Sequence, residues 1–95
     1  MNSNFIKADE GKVMPSLVES PFIMGMAKIL TYGIRKYSKN NWKNCDDKSR
    51  YKDALLRHIY AYLDGEELDK ETGESHLHHA SCNLMFLDYF DRQGE

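Results

Sequence analysis

Apolar positions recur at helical spacing in three separate stretches of this chain. The first stretch starts at Ser20 and Pro21 and keeps a period of three to four residues. Serine is a favoured N-cap, and proline is tolerated in a first helical turn because its missing N–H would be unpaired there. The pattern therefore predicts a helix over residues 20–38, preceded by an extended arm over residues 1–19.

The second and third stretches predict two further helices, over residues 49–64 and 75–91. Ser49 can cap the second helix, and Gly65 can end it by taking a left-handed backbone conformation. No window shows the strict alternation of a half-buried strand, so the predicted fold class is all-α. A chain of 95 residues makes one small domain with little core, so we expect several copies to complete a helical bundle by oligomerisation.

A polar stripe runs along the second predicted helix, opposite its apolar positions. It contains Arg50, Asp53 and Arg57, with the small side chains of Ala54 and Ala61 between them. Arginine presents a planar, permanently charged fork that matches phosphate and carboxylate groups, and Asp53 could pair with the arginines or ligate a metal. The stripe therefore indicates either a face that binds an anion or an ion-pair network on a solvated surface.

An aromatic, amide-rich segment, K-Y-S-K-N-N-W at residues 36–42, follows the first helix. Aromatic rings can stack on a nucleobase, and the amide of Asn40 or Asn41 could read its edge. The alternative is that Trp42 closes the end of the bundle while the asparagines form a turn.

Carboxylates and imidazoles are concentrated just before the third helix and in its first turns. This group comprises Glu66, Asp69, Glu71, Glu74, His76, His78 and His79. Carboxylates suit Mg²⁺ or Mn²⁺, whereas imidazoles suit Zn²⁺ and other transition metals. His76 and His79 are three residues apart and share a helix face, His78 points elsewhere, and His58 adds a further imidazole. A purely structural role, with each histidine bonded to a nearby carboxylate or carbonyl, stays open.

Composition narrows the classes of function. The formal net charge is −2, which argues against a broad nucleic-acid surface but is compatible with a local basic pocket. Cys45 and Cys82 form neither a disulfide framework nor a C-x-x-C pair, which is typical of a reducing compartment. No signal peptide and no apolar run of membrane-spanning length is visible, so we expect a cytoplasmic protein without membrane or extended nucleic-acid partners.

Several of these segments together resemble a known family. The most specific are K-Y-x-x-x-N-W at residues 36–42, A-L-L-R-H at 54–58, and the run from G-E-x-x-D at 65–69 to H-L-x-H-A at 76–80. They resemble the small dATP/dGTP diphosphohydrolase N-terminal family, which is common in phages and related to the all-α MazG-like nucleotide pyrophosphohydrolases. The likeness covers residues 7–87, nearly the whole chain.

The resemblance implies a helical, oligomeric nucleotide site. The wider superfamily cleaves nucleoside triphosphates between the α- and β-phosphates, with Mg²⁺ held by carboxylates on helices, commonly E-x-x-E followed by E-x-x-D. The positions that match the smaller family's pattern are Lys36, Tyr37, Asn41, Trp42, Arg57, His58, Glu66, Asp69, His76 and His79.

The residues and the resemblance together define the expected roles. The catalytic candidates are Glu66, Asp69 and His58. Mg²⁺ or Mn²⁺ is the expected cofactor, with Glu66, Asp69 and Asp53 as its ligands. The candidates for binding a nucleotide are Lys36, Tyr37, Asn41, Trp42, Arg50, Arg57, His76 and His79.

The chain departs from the superfamily in its first predicted helix. No E-x-x-E occurs there, because the residues from Met24 to Lys36 include no carboxylate. Two other functions therefore stay open. One is a binding protein that sequesters a nucleotide without cleaving it, for example a cyclic or ADP-ribose-type signal. The other is a helical interaction module whose arginine and histidine stripes are contacts between subunits.

Overall fold

Three α-helices form the architecture in the computed structural model, which describes residues 4–94. They are α1 (Ser20–Lys36), α2 (Ser49–Leu63) and α3 (His76–Gln93). Short 3₁₀ turns lie at Pro15–Leu17 and Asn41–Asn44. The described residues contain no strand, only an isolated bridge in the loop before α3, so the all-α prediction is confirmed for this part of the chain.

The helix starts depend on local hydrogen bonds that the sequence predicts only in part. Ser75 caps α3, and its hydroxyl accepts a hydrogen bond from the N–H of Leu77 at 3.1 Å. Ser49 is not the cap of α2 but its first residue, and the Asp47 carboxylate accepts from both its N–H and its hydroxyl. Ser20 is likewise the first residue of α1 rather than its cap.

Helix α3 contacts both other helices, most extensively α2. The fully buried apolar side chains of the described residues are small, Ala80 and Cys82, and both belong to α3. The polar side chains of His76 and Asn83, on the same helix, are also buried. Because α3 forms the centre of so small a core, its polar positions are drawn inside together with its apolar ones.

An aromatic cluster joins the loop after α1 to α2 and α3. The Trp42 indole stacks on Phe86 with ring centroids 4.5 Å apart, and it meets the rings of Tyr89 and Phe90 edge-on. Tyr51 packs on Phe86 from α2 and donates a hydrogen bond from its hydroxyl to the Trp42 carbonyl at 2.8 Å. Trp42 therefore packs at the end of the helices, as one of the two interpretations of this segment predicts.

Gly25 allows α1 and α3 to approach each other closely. It is the one buried residue of α1, and a Cβ at this position would overlap the imidazole ring of His78. The same ring packs against Phe22 with centroids 5.4 Å apart. Gly33, on the same helix, would place its Cβ in open space, so only Gly25 is required by packing.

A large area of the chain remains exposed. The accessible surface is 7777 Å² for 11.1 kDa, whereas a compact monomer of this mass exposes about 5,700 Å². The radius of gyration is 17.5 Å, against roughly 12 Å for a compact chain of this length. Exposed apolar side chains include Leu17, Val18, Phe22 and Ile23. Self-association stays a prediction, and this apolar surface is the one that a second copy would cover.

No helix among the described residues is both long enough and apolar enough to cross a membrane.

We expect the two glycines of α1 to respond oppositely to alanine. Gly25→Ala should lower the free energy of unfolding by about 1–3 kcal/mol, because the new methyl group overlaps the His78 ring. Gly33→Ala should raise it by up to about 1 kcal/mol, because alanine is the better helix former and meets no neighbour there. Urea denaturation measures both. Adding His78→Ala to Gly25→Ala should restore part of the loss, and equal effects at both glycines would contradict this packing.

We also expect self-association to depend on the exposed apolar side chains of α1. The purified chain should have a light-scattering mass that is a multiple of 11.1 kDa. Ile23→Glu should move that mass toward the monomer, because Ile23 is 50% exposed in the single chain and a buried carboxylate is costly. Lys28→Glu, an exposed position on the same helix, is the control. A monomeric wild-type chain at micromolar concentration would refute the prediction.

Candidate functional site

A cavity of about 480 Å³ opens between α1, the loop that follows it, and α3. Its apolar walls include Ile29 and Leu30 of α1 and Met85 and Phe86 of α3. Of the residues expected to form the site, it brings together Lys36, Tyr37, Asn41, Trp42, His58, Asp69 and His79. Four parts of the chain therefore line one cavity: α1 with the loop that follows it, α2, the loop before α3, and α3 itself.

Lys36 lies at the rim of this cavity in a surface ion pair. Its Nζ is 3.1 Å from Oε1 of Glu71, which also accepts a hydrogen bond from the Tyr32 hydroxyl. The hydrogen bond and charge of Glu71 raise the pKa of Lys36, so the amine stays positively charged. Because both partners are about half exposed, this ion pair contributes little to stability and can be broken at little cost.

Three imidazoles meet where α2 packs on α3, and two of them, those of His58 and His79, line the cavity. Nδ1 of His58 lies 2.8 Å from Nδ1 of His76. The His58 ring also stacks almost parallel on the His79 ring, with centroids 4.4 Å apart. Nε2 of His79 lies 2.7 Å from the Thr72 hydroxyl. The histidines expected to share a face of α3 are therefore both in contact with His58.

Asp69 shapes the loop that brings its carboxylate to these imidazoles. Its Oδ2 accepts hydrogen bonds from the N–H groups of Glu71 and Thr72 and from the Thr72 hydroxyl. Gly73 supports the turn with a φ of 74°, a conformation that suits glycine. Burial raises the pKa of Asp69, but the Thr72 hydrogen bonds and nearby His79 outweigh burial and leave this pKa below its usual value. The carboxylate is therefore ionised near neutral pH.

A group of three residues has donor atoms close enough to hold a metal ion. One donor atom each from His58, Asp69 and His76 lies within 4.8 Å of the others. Glu66 lies just outside this group, with Oε1 at 3.5 Å from Nε2 of His76. The structure does not bring Asp53 to the group, because Asp53 faces a different cavity on α2.

Burial favours the neutral form of two of these imidazoles, those of His58 and His79. It lowers the pKa of His58 to about 4, with further lowering from His79 and His76, although Asp69 acts in the opposite direction. Burial also lowers the pKa of His79. A neutral imidazole has a nitrogen lone pair available, which is the form that ligates metals.

The arginine stripe lines a second, open cavity of about 790 Å³. Arg50, Asp53 and Arg57 all contribute to it, and no carboxylate in the described part of the chain pairs with either arginine within 4.0 Å. The ion-pair network that the spacing allows is thus not formed. Tyr37 and Asn41 line both cavities, so the two are neighbours.

The sequence pattern does not indicate Thr72 and Tyr51 as contributors to the site, and for Glu71, a member of the acidic group, it does not predict the partner. Thr72 joins Asp69 to His79, and Glu71 holds Lys36. Tyr51 lines both cavities from α2. The D-x-x-T spacing of Asp69 and Thr72 is a local signal for a turn of this kind, but Glu71 and Tyr51 reach the site only through tertiary packing.

This geometry defines an all-α domain with a cavity of small-molecule size, cations at its rim and a His–Asp cluster at its inner side. The chain belongs to the family described as dATP/dGTP diphosphohydrolase, N-terminal, which it matches over residues 3–95. A "dATP/dGTP diphosphohydrolase" of Salmonella phage PMBT28 is 37% identical over 82 residues, which are 86% of this chain and 28% of that protein. The chain thus spans less than a third of this curated relative. No solved structure shows a significant match.

We expect the metal-free protein to lose stability in mild acid. The pKa of His58 is about 4 in the folded protein and near 6.5 in the unfolded chain, so between these values the unfolded chain binds more protons. The contribution of His58 to the free energy of unfolding should therefore be complete above pH 6.5 and should decline as the pH falls toward 4. Urea titrations in chelator would measure this decline. His58→Gln should flatten it, and an unchanged slope in that variant would contradict the assignment.

Proposed function

We propose that this domain binds a purine deoxynucleoside triphosphate and, with a divalent cation, hydrolyses it to the nucleoside monophosphate and pyrophosphate. The observation that carries the proposal is the single cavity in which apolar walls, Lys36, and the side chains of His58 and Asp69 meet. Membership of a family described by dATP/dGTP diphosphohydrolase supports it.

The base and sugar fit the apolar part of the first cavity. A volume of about 480 Å³ lies within the usual range for small-molecule sites, roughly 300–1,000 Å³. Tyr37 is 57% exposed at the edge of this cavity and can stack on a base. Trp42 is less available, because Phe86 already covers its ring. The amide of Asn41 offers both a donor and an acceptor to a base edge.

The phosphates fit the cationic side chains around the boundary between the two cavities. Lys36 stands at the first cavity and Arg50 and Arg57 at the second, with the wall of Tyr37 and Asn41 shared by both. The two guanidinium groups have no carboxylate partner to give up among the described residues. Arginine forks bind phosphate oxygens in pairs, which favours a triphosphate over a nucleoside.

Asp69 and Glu66, with the adjacent imidazoles, would hold the divalent cation. Asp69 fits this role because its Oδ2 is used by the turn while its Oδ1 accepts no hydrogen bond from the described residues. When bound, such a cation neutralises phosphate charge and activates water. His58 is a weak general base at neutral pH, since its pKa of about 4 is far from the operating pH. Binding the cation suits it better than accepting a proton.

A deoxynucleotide panel with Mg²⁺, Mn²⁺, Co²⁺ or Zn²⁺ tests the proposal, with pyrophosphate release as the readout. We expect turnover of dATP and dGTP above that of dCTP and dTTP. Arg57→Gln should raise KM about tenfold or more, because a charge-assisted hydrogen bond contributes about 1.5–3 kcal/mol. Asp69→Asn should lower kcat by more than about tenfold while keeping the acceptor that forms the turn. Asp88→Asn, an exposed position of α3, is the control. Absence of pyrophosphate with every nucleotide and with each of Mg²⁺, Mn²⁺, Co²⁺ and Zn²⁺ would refute hydrolysis.

A second candidate is a domain that binds a nucleotide without cleaving it. One observation favours it: the group that can hold a metal contains a single carboxylate, Asp69, and α1 offers none. This candidate predicts that the nucleotide is recovered intact and stays bound in chelator. A hundredfold excess over the dissociation constant should stabilise the protein by about 2.7 kcal/mol. If neither nucleotide nor metal raises the melting temperature, a helical interaction module becomes the better account.

A further inference from the structure

His58, Asp69 and His76 reach one point from three different parts of the fold. His58 comes from the middle of α2, His76 from the first turn of α3, and Asp69 from the loop between these helices. Their donor atoms lie within 4.8 Å of one another. These three residues are irregularly spaced along the sequence, so no short motif contains them all. The packing of α2 on α3 brings them together.

In the metal-free protein, the imidazoles of His58 and His76 face each other nitrogen to nitrogen. Nδ1 of His58 and Nδ1 of His76 are 2.8 Å apart, so one of them must carry a proton that the other accepts. Nε2 of His76 is buried and has no hydrogen-bond partner in the described chain, and the side chain is only 5% exposed. In either tautomer Nε2 of His76 faces Oε1 of Glu66 at 3.5 Å, which is a weak contact for a buried polar atom.

A bound metal ion would make both Nδ1 atoms ligands, so that no proton has to be shared between them. Both Nδ1 lone pairs can then point at the ion, and His76 carries its proton on Nε2, which faces Oε1 of Glu66 at 3.5 Å. Histidine ligands usually donate their second N–H to such an outer carboxylate. Two nitrogens at about 2.05 Å from one ion are roughly 2.9–3.3 Å apart, so the observed separation needs only a small adjustment.

The neighbouring groups fix the orientation of the ligands. The His79 ring stacks on the His58 ring, and the Thr72 hydroxyl contacts both Nε2 of His79 and Oδ2 of Asp69. The His58 imidazole and the Asp69 carboxylate are therefore held by one connected set of contacts, as a preformed metal site requires.

We propose that His58, His76 and Asp69 bind a late first-row transition ion such as Zn²⁺ or Co²⁺, with Glu66 positioning His76. Two imidazoles and one carboxylate favour such an ion, whereas Mg²⁺ prefers oxygen ligands throughout. The inference deepens the proposed function by naming the ion class of the same site. The inference rests on the proposed function only where it assigns the ion a role in hydrolysis. The geometry of the ligands does not depend on any nucleotide.

Titration of the chelator-treated full chain with Co²⁺ tests the site without nucleotide. We expect visible absorption bands that saturate at one ion per chain, and displacement of Co²⁺ by Zn²⁺ but not by a hundredfold excess of Mg²⁺. His58→Gln and His76→Gln should abolish the bands. Glu66→Gln should weaken Zn²⁺ binding about 10- to 100-fold by calorimetry, as loss of an outer carboxylate does. His78→Gln, on α3 but outside the group, is the matched control and should bind like wild type.

The outcomes separate the metal site from the hydrolysis. Circular dichroism checks whether each variant is folded. If substitution of the buried His76 unfolds the chain, the His58→Gln variant alone tests the site, because His58 is partly exposed. Absence of Co²⁺ bands in the wild type, or unchanged binding in folded His58→Gln, overturns the metal site. Pyrophosphate release with Mg²⁺ by the wild-type chain would then leave the proposed function standing without a transition-metal site. Saturable Zn²⁺ binding without hydrolysis of any nucleotide supports the metal site and removes the proposed function.

Discussion

The packing of α3 against both other helices is the contact on which the rest of the structure depends. In a chain this small, one helix has to supply the contact surface for α1 and for α2. Its buried apolar side chains are only Ala80 and Cys82 among the described residues, so polar side chains such as His76 and Asn83 share the interior. Close approach is possible where side chains are absent, as at Gly25 beneath His78.

The chemistry of the site follows from this shortage of apolar core. The imidazoles of His58 and His79 lose hydration in the α2–α3 interface, which disfavours their charged form and lowers their pKa. The arginines of α2 lie on the outer side, where they keep their hydration and full charge. Helix α2 therefore carries an imidazole on its buried side and guanidinium groups on its outer side, with His58 and Arg57 as neighbours in the chain. The nucleotide site that we propose would use both kinds of group within a short distance.

The family match concerns the chain as a whole, whereas the structure describes its individual side chains. The family match covers nearly the whole chain, but the chain corresponds to 28% of the phage relative. The cavities, the His–Asp cluster and the unpaired arginines belong to this chain itself. The large exposed apolar surface is the part of this chain that self-association, which stays a prediction, would cover.

The sequence by itself determined the elements that local physics controls. Helical periodicity predicts three helices without strands, Ser75 caps α3, and Gly65 has the left-handed conformation expected of it. The predicted N-caps Ser20 and Ser49 were each wrong by one residue, since each is the first residue of its helix. At α2 the Asp47 carboxylate supplies the hydrogen-bond acceptor, and a local pattern does not distinguish between two acceptors this close in sequence.

Only the tertiary structure decided which side chains meet. The sequence treats Asp53 and Asp69 as equivalent candidate ligands, yet only Asp69 joins the imidazoles, because its loop turns back over α3. The spacing along α3 predicts that His78 and His76 lie on different sides of the helix, but it does not predict what each of them contacts. His78 covers Gly25, whereas His76 faces His58. Periodicity fixes the side of a helix on which a residue lies. The partner of that side is set by how whole helices pack, which depends on contacts between residues distant in sequence.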